Sequence, residues 1–134
     1  MDPTRLSEIV LNYTAYLVTG LVLLAVFFVV YTRITPHEER HQVRNGNTAV
    51  AIFLSGAMIG FTLTIASSIL THVDYGNFIV WIVSALVVQL LVLAVMNRLI
   101  PNLSQQLEQN NVAVGTLGGA AALCAGMVNA ACVF

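Results

Sequence analysis

The chain has 134 residues, of which 58% are hydrophobic and 8% charged, with a mean hydropathy of +0.87 and a formal net charge of −1. A water-soluble domain carries roughly a quarter charged residues, so this composition excludes a protein wetted on all sides. Lysine is absent, the basic residues being Arg5, Arg33, Arg40, Arg44 and Arg98, and no nucleic-acid partner is expected.

The N-terminal flank, "MDPTRLSE", is mixed in charge and leads into an uncharged apolar stretch from Ile9 to Thr32. That stretch is long, is followed by Arg33 and offers no small-residue cleavage site, so it reads as a retained span rather than a signal peptide. Three more uncharged stretches follow, from Thr48 to Val73, Gly76 to Asn97 and Val112 to Phe134. At a rise of about 1.5 Å per residue, ~20 apolar residues cross a hydrocarbon core of about 30 Å. Inside lipid the backbone must satisfy its own hydrogen bonds, so each stretch is expected to be a helix.

Between the first and second spans lies "PHEERHQV", in which His37, Glu38 and His41 spell H-E-x-x-H. On a helix that spacing can hold zinc between two imidazoles, with the glutamate as general base. A catalytic site also needs a third ligand and a shaped, wet pocket. The same letters fit a helix start, with Thr35 as N-cap, Pro36 at the first helical position and Glu38 completing a capping box. That structural reading is preferred, and neither metal, cofactor nor catalytic residue is expected. His72 and Asp74, in the loop after the second span, form too small a ligand set for a metal and read as a solvated loop.

Arg33, Arg40, Arg44 and Arg98 all fall in the first and third loops, whereas "THVDYGN" has no arginine. The positive-inside rule then puts loops 33–47 and 98–111 in the cytoplasm and both termini outside. No ionisable side chain lies within a span, which argues against a proton relay or a coupled ion site. Gln89 and Asn129 are the strongest polar groups at depth, read first as interhelical hydrogen bonds. Thr62, Thr64, Ser67 and Ser68 give the outer half of the second span a polar side, where hydroxyls returning to their own helix compete with a water-filled cavity as the explanation. Asn47 and Asn111 precede the second and fourth spans as N-caps. Cys124 and Cys132 are expected to be free thiols.

The segment "LVLLAVFFVVYTRITP" (Leu21 to Pro36) lies over "LVVQLLVLAVMNRLIP" (Leu86 to Pro101), matching Arg33 with Arg98 and Pro36 with Pro101. After a one-residue gap "NTAVAIFLSGA" lies over "NVAVGTLGGAA", which matches Asn47 with Asn111 and Ala49 with Ala113. The expectation is an all-α membrane protein of four transmembrane helices, built as a tandem parallel repeat of two-helix units over approximately 9–71 and 76–134 within a single membrane domain. The repeat also bears on HEERH, because Asn102, Leu103 and Gln106 stand where His37, Glu38 and His41 do, so the repeated element has no need of zinc. Spans one and three are rich in Leu, Val, Ile and Phe and suit lipid. Spans two and four carry small residues at four-residue intervals, including Ala51 and Ser55, Gly56 and Gly60, and Gly115 and Gly119, with Gly126 further along. This spacing predicts close packing of spans two and four at the centre, and a second small face on the last span points to a homo-oligomer.

"YTRITPHEE", "GNTAVAIFLSG", "NNVAVG" and "GMVNAACVF" resemble the YjfL-type small inner-membrane proteins, a bacterial domain-of-unknown-function family (family 350), from about Tyr16 to Phe134. The resemblance implies a multi-spanning protein of the bacterial inner membrane, with Asn47, Ala49, Asn111, Ala113 and Asn129 as family-like positions. It also implies a neighbourhood of membrane-stress proteins of the phage-shock type, ATP-grasp ligases and polyamine-related enzymes. The HEERH histidines fall outside the family pattern. The leading expectation is a non-enzymatic oligomeric scaffold or adaptor in a membrane-stress or envelope system, resting in the lipid bilayer and recruiting a cytoplasmic protein through loops 33–47 and 98–111. The main alternative is a homo-oligomeric pore or small-solute carrier lined by the second and fourth spans, and the weakest is a zinc hydrolase using HEERH.

Overall fold

The structure is a computed structural model that describes residues 2–35, 39–71 and 74–133. Among these residues it contains helices alone: α1 (Pro3–Ile34), α2 (Glu39–Arg44), α3 (Thr48–Thr71), α4 (Tyr75–Leu99), α5 (Leu103–Glu108) and α6 (Val112–Cys132). The four longer ones, α1, α3, α4 and α6, are each long and apolar enough to cross a membrane. The protein is thus an all-α membrane protein with four candidate spans.

Helix α1 is longer than its apolar stretch predicts. Its 32 residues start from Pro3, whose missing N–H costs nothing in a first turn. They cover about 48 Å, against ~30 Å of hydrocarbon. Only Gly20, Phe27 and Tyr31 of α1 are buried, so it touches the rest of the bundle along one narrow stripe. The aromatic side chains do most of that work: Phe27 packs 5.0 Å from Phe61 of α3, and Tyr31 stacks 6.3 Å from Phe53. Further back along α1, Tyr16 meets Phe78 of α4 at 4.8 Å, and the Thr19 and Tyr75 hydroxyls are 2.6 Å apart.

Helices α3 and α6 form the centre and run parallel to one another. Ala49 lies beside Gly115 near their N-termini, while Ser67 reaches Ala130 eighteen residues further along α3. The two helices therefore stay in contact for about 27 Å. Helix α4 packs against both, burying Phe78, Ile82, Ala85, Gln89 and Met96. It is more than the lipid-facing helix its composition suggests. The short helices α2 and α5 join the spans at one end of the bundle, and α5 seats Leu103 and Leu107, four residues apart, as its buried side.

Candidate functional site

The seam between α3 and α6 exists because glycine stands where any side chain would collide. A Cβ added at Gly56 would land on the Gly119 carbonyl, and one at Gly126 on the Gly60 backbone. At Gly60 it would come within 2.7 Å of the Ala122 carbonyl oxygen, and at Gly115 within 2.5 Å of that of Ala49. Gly118 serves a different neighbour, giving room to the Phe53 ring. Ala51 is half-buried. Ser55 differs from its small-residue expectation: it is exposed, its hydroxyl donates 2.7 Å back to the Ala51 carbonyl, and it takes no part in the internal seam.

Close backbones bring hydroxyls of one helix within reach of carbonyls of the other. Thr64 is buried and donates to the Gly126 carbonyl at 3.2 Å, and Ser67 donates to that of Ala130 at 2.6 Å. Of the α3 hydroxyls expected to serve their own helix or a water-filled space, Thr62 returns to Met58 at 2.8 Å and Ser67 ties α3 to α6, while Thr64 does both, lying 3.4 Å from the Gly60 carbonyl of its own helix. Gln89 of α4 joins the same seam. Its Nε2 donates to the Ala57 carbonyl of α3 at 3.2 Å and lies 3.4 Å from that of Ala122 of α6, but its buried Oε1 has no partner. The buried Nδ2 of half-buried Asn129 also lacks one.

At the end bearing α2 and α5 the chain turns the same corner twice. After α2, Gly46 takes φ +82°, its N–H goes to Val43 and the Asn47 N–H to Gln42. After α5, Asn110 takes φ 58°, its N–H goes to Leu107 and the Asn111 N–H to Gln106. Both are Schellman closures, with glycine or asparagine at the left-handed position those residues tolerate best. The residue that ends each motif then starts the next helix. Asn47 Oδ1 accepts the Val50 N–H at 3.1 Å, and Asn111 Oδ1 accepts that of Val114 at 3.3 Å. Behind them Asn47 Nδ2 donates to Gln42 Oε1 at 3.0 Å, and Asn111 Nδ2 to Gln106 Oε1 at 3.2 Å.

The two corners are also locked to each other. Asn47 Nδ2 donates 2.8 Å to the Leu107 carbonyl, and Asn110 Oδ1 accepts the Ala49 N–H at 3.0 Å. Asn110 was not singled out by the sequence reading, although asparagine just past a short helix is itself a signal for a left-handed cap. Outward from this lock stand the exposed residues Arg40, His41, Val43 and Arg44 of α2 and Gln105 and Glu108 of α5. Arg40 rests over the Phe28 ring, 5.7 Å from its centroid, which holds α2 down onto α1.

Pro36, His37 and Glu38 of the HEERH reading lie outside the described residues, as does His72. His41 Nε2 sits 3.1 Å from Asn45 Nδ2. Thr35 closes α1, with both its N–H and its hydroxyl on the Tyr31 carbonyl, while the capping box expected of it with Pro36 and Glu38 falls on residues outside those described. Asp74 caps α4 by accepting the Asn77 N–H at 3.1 Å, a task for its carboxylate that needs no metal. Among the described residues no three of His, Cys, Asp and Glu gather as a metal set, and Cys124 and Cys132 are free and exposed.

A family model described as Domain of Unknown Function (DUF350) matches residues 5–133. The chain belongs to the DUF350 family. Its similarity to the UPF0719 inner membrane protein YjfL of Escherichia coli strain K12 is 36% identity over 129 residues, covering 96% of this chain and 98% of that protein. The UPF0719 transmembrane protein YshE of Bacillus subtilis strain 168 is 28% identical over 103 residues, covering 75% of this chain and 77% of that protein. No solved structure matches significantly. The DUF350 match takes in all four long helices and both asparagine corners, and the relatives' names carry a membrane location but no activity.

Proposed function

We propose that this DUF350 protein is a non-enzymatic adaptor of the bacterial inner membrane that presents the α2/α5 face to a cytoplasmic protein partner. The observation that carries the reading is the lock between the two corners. Asn47 and Asn110 hold two short helices outside the spans in one fixed relation, leaving their polar sides free. Order maintained by side-chain hydrogen bonds on an exposed surface suits recognition, because less freedom is lost on docking. The absence of lysine leaves Arg33, Arg40, Arg44 and Arg98 as the arginines at that end, and arginine suits carboxylate-bearing partners. By the distribution of arginine this face is cytoplasmic and the termini lie on the periplasmic side. A homo-oligomer would use the exposed side of the central pair, where Ser55 and Thr62 of α3 and Thr116 and Ala120 of α6 face outward.

The pore reading is the weaker one. Helices α3 and α6, its proposed lining, touch backbone to backbone, so a path would have to run between copies of the chain. Photo-crosslinking separates the two readings. A photoreactive residue at Val43 or Gln105 should give a discrete soluble-protein adduct that is absent from Ile59, which is exposed in mid-span. The adduct should disappear in the Arg40→Ser, Arg44→Ser double variant. No adduct from either short helix, together with solute flux in liposomes lost in Gln89→Leu, would replace the adaptor with the pore.

A further inference from the structure

The end of the bundle bearing α2 and α5 also contains a cavity of about 280 Å³ between α1 and α4, close to the lower end of the ~300–1,000 Å³ typical of ligand pockets. It arises from the way α1 leans. Away from this end, Tyr16 and Thr19 hold α1 to Phe78 and Tyr75 of α4. Towards it, Phe27 and Tyr31 turn to Phe61 and Phe53 of α3 instead. Space then opens beside α4, with α5 across its end.

The lining is graded in polarity. On α4 it runs from Leu90 through Leu93 and Ala94 to Asn97 and Arg98, one helix face over eight residues, or about 12 Å. Phe53 is buried and Leu90 and Leu93 half-buried, whereas Asn97 and Arg98, in the last turn of α4, are exposed. Arg98 is exposed and pairs with no carboxylate among the described residues. A cavity that is apolar at bilayer depth and cationic at headgroup level has the polarity of a phospholipid turned to negative charge, and basic pockets between spans take anionic headgroups.

We infer that this cavity seats one anionic glycerophospholipid, its phosphate on the Arg98 guanidinium and an acyl chain along Leu93 and Leu90. The site shares Arg98 and the α5 wall with the face of the adaptor reading but uses none of the exposed side chains of α2, so Arg98→Gln reads the lipid site while the Arg40→Ser, Arg44→Ser pair reads the adaptor.

The test is native mass spectrometry of protein released from nanodiscs of mixed phosphatidylglycerol and phosphatidylcholine. Wild type should retain one phosphatidylglycerol per chain, preferred over phosphatidylcholine by about fivefold, because the choline ammonium offsets the phosphate charge that Arg98 meets, a difference on the scale of one basic residue at an anionic surface. Arg98→Gln should level the preference while some lipid of either kind remains, and Arg98→Lys should keep most of it. Ala94→Trp, which fills the cavity, should retain neither lipid. Should that variant misfold, Arg98→Gln, at an exposed position, still decides the matter. Equal retention of the two lipids by wild type, or a preference unchanged in Arg98→Gln, would overturn the proposal. So would displacement of phosphatidylglycerol by inorganic phosphate, which would make the site a reader of phosphate alone.

Discussion

Gly56, Gly60, Gly119 and Gly126 stabilise this bundle through what they lack. In lipid an apolar side chain gains little by leaving one hydrocarbon environment for another, so helices associate through close packing and the hydrogen bonds it allows. At Gly56 the obstacle to a side chain is the Gly119 backbone, which cannot rotate away. Gly56→Ala should therefore cost about 1–3 kcal/mol, the usual range for overpacking, read as a lower unfolding midpoint in detergent. Ser55→Ala, next along the helix but exposed, should stay within ~0.5 kcal/mol. Equal effects at the two positions would mean the seam is not the stabilising contact. Gln89 calls for the opposite expectation. Gln89→Leu loses hydrogen bonds worth roughly 0.6 kcal/mol each but also removes the unpartnered Oε1. Its net effect on stability should fall within about 1 kcal/mol, so a large loss of function in this variant could not be blamed on unfolding.

Among the elements, the two asparagine corners look alike locally and differ in what lies beyond. Asn111 caps α6 and bonds Gln106. Asn47 does the equivalent for α3, is buried, and also reaches the Leu107 carbonyl of α5. Asn111→Ala should cost about 1 kcal/mol, an ordinary cap, and Asn47→Ala about 1 kcal/mol more for the lost hydrogen bond to the Leu107 carbonyl, which keeps only the Asn110 N–H. Equal losses in thermal unfolding would mean that the lock between corners contributes nothing. The caps themselves were legible, because asparagine before an apolar run has one dominant local use. The lock was not, since Asn110 acts on Ala49 sixty-one residues away and no local pattern records the pairing. The spans were legible for a similar reason: charge exclusion by hydrocarbon leaves a strong mark on sequence. Which faces of them meet protein was only partly so. Glycine and alanine mark the α3–α6 seam, but the leucine and valine of α4 serve protein and lipid equally well, and its burial of Ile82 and Ala85 left no separate trace. The length of α1 was missed because its polar first turns form helix without needing to be apolar.

For the whole molecule, the parallel run of α3 and α6 has a consequence for how the chain sits in the bilayer. Two helices in contact from Ala49 to Ser67 on one side, and from Gly115 to Ala130 on the other, must enter the membrane from the same face. Both short helices, the asparagine corners and Arg40, Arg44 and Arg98 then share one side, and the N-terminus of α1 and the C-terminus of α6 share the other. An excess of arginine at one end is retained on the cytoplasmic side during insertion, so the α2/α5 end should be cytoplasmic. Thiol labelling in intact cells tests this once the native Cys124 and Cys132 are replaced by alanine. Ser7→Cys, exposed in the first turns of α1, should react with a membrane-impermeant maleimide without permeabilisation. Asn45→Cys, exposed beside α2, should react only after the membrane is opened. The reverse pattern would turn the molecule over and put Arg40 and Arg44 out of reach of any cytoplasmic partner, ending the adaptor reading whatever their chemistry. Labelling of both positions in intact cells would mean instead that the chain has no fixed orientation, and that its few arginines are too weak a signal to hold one.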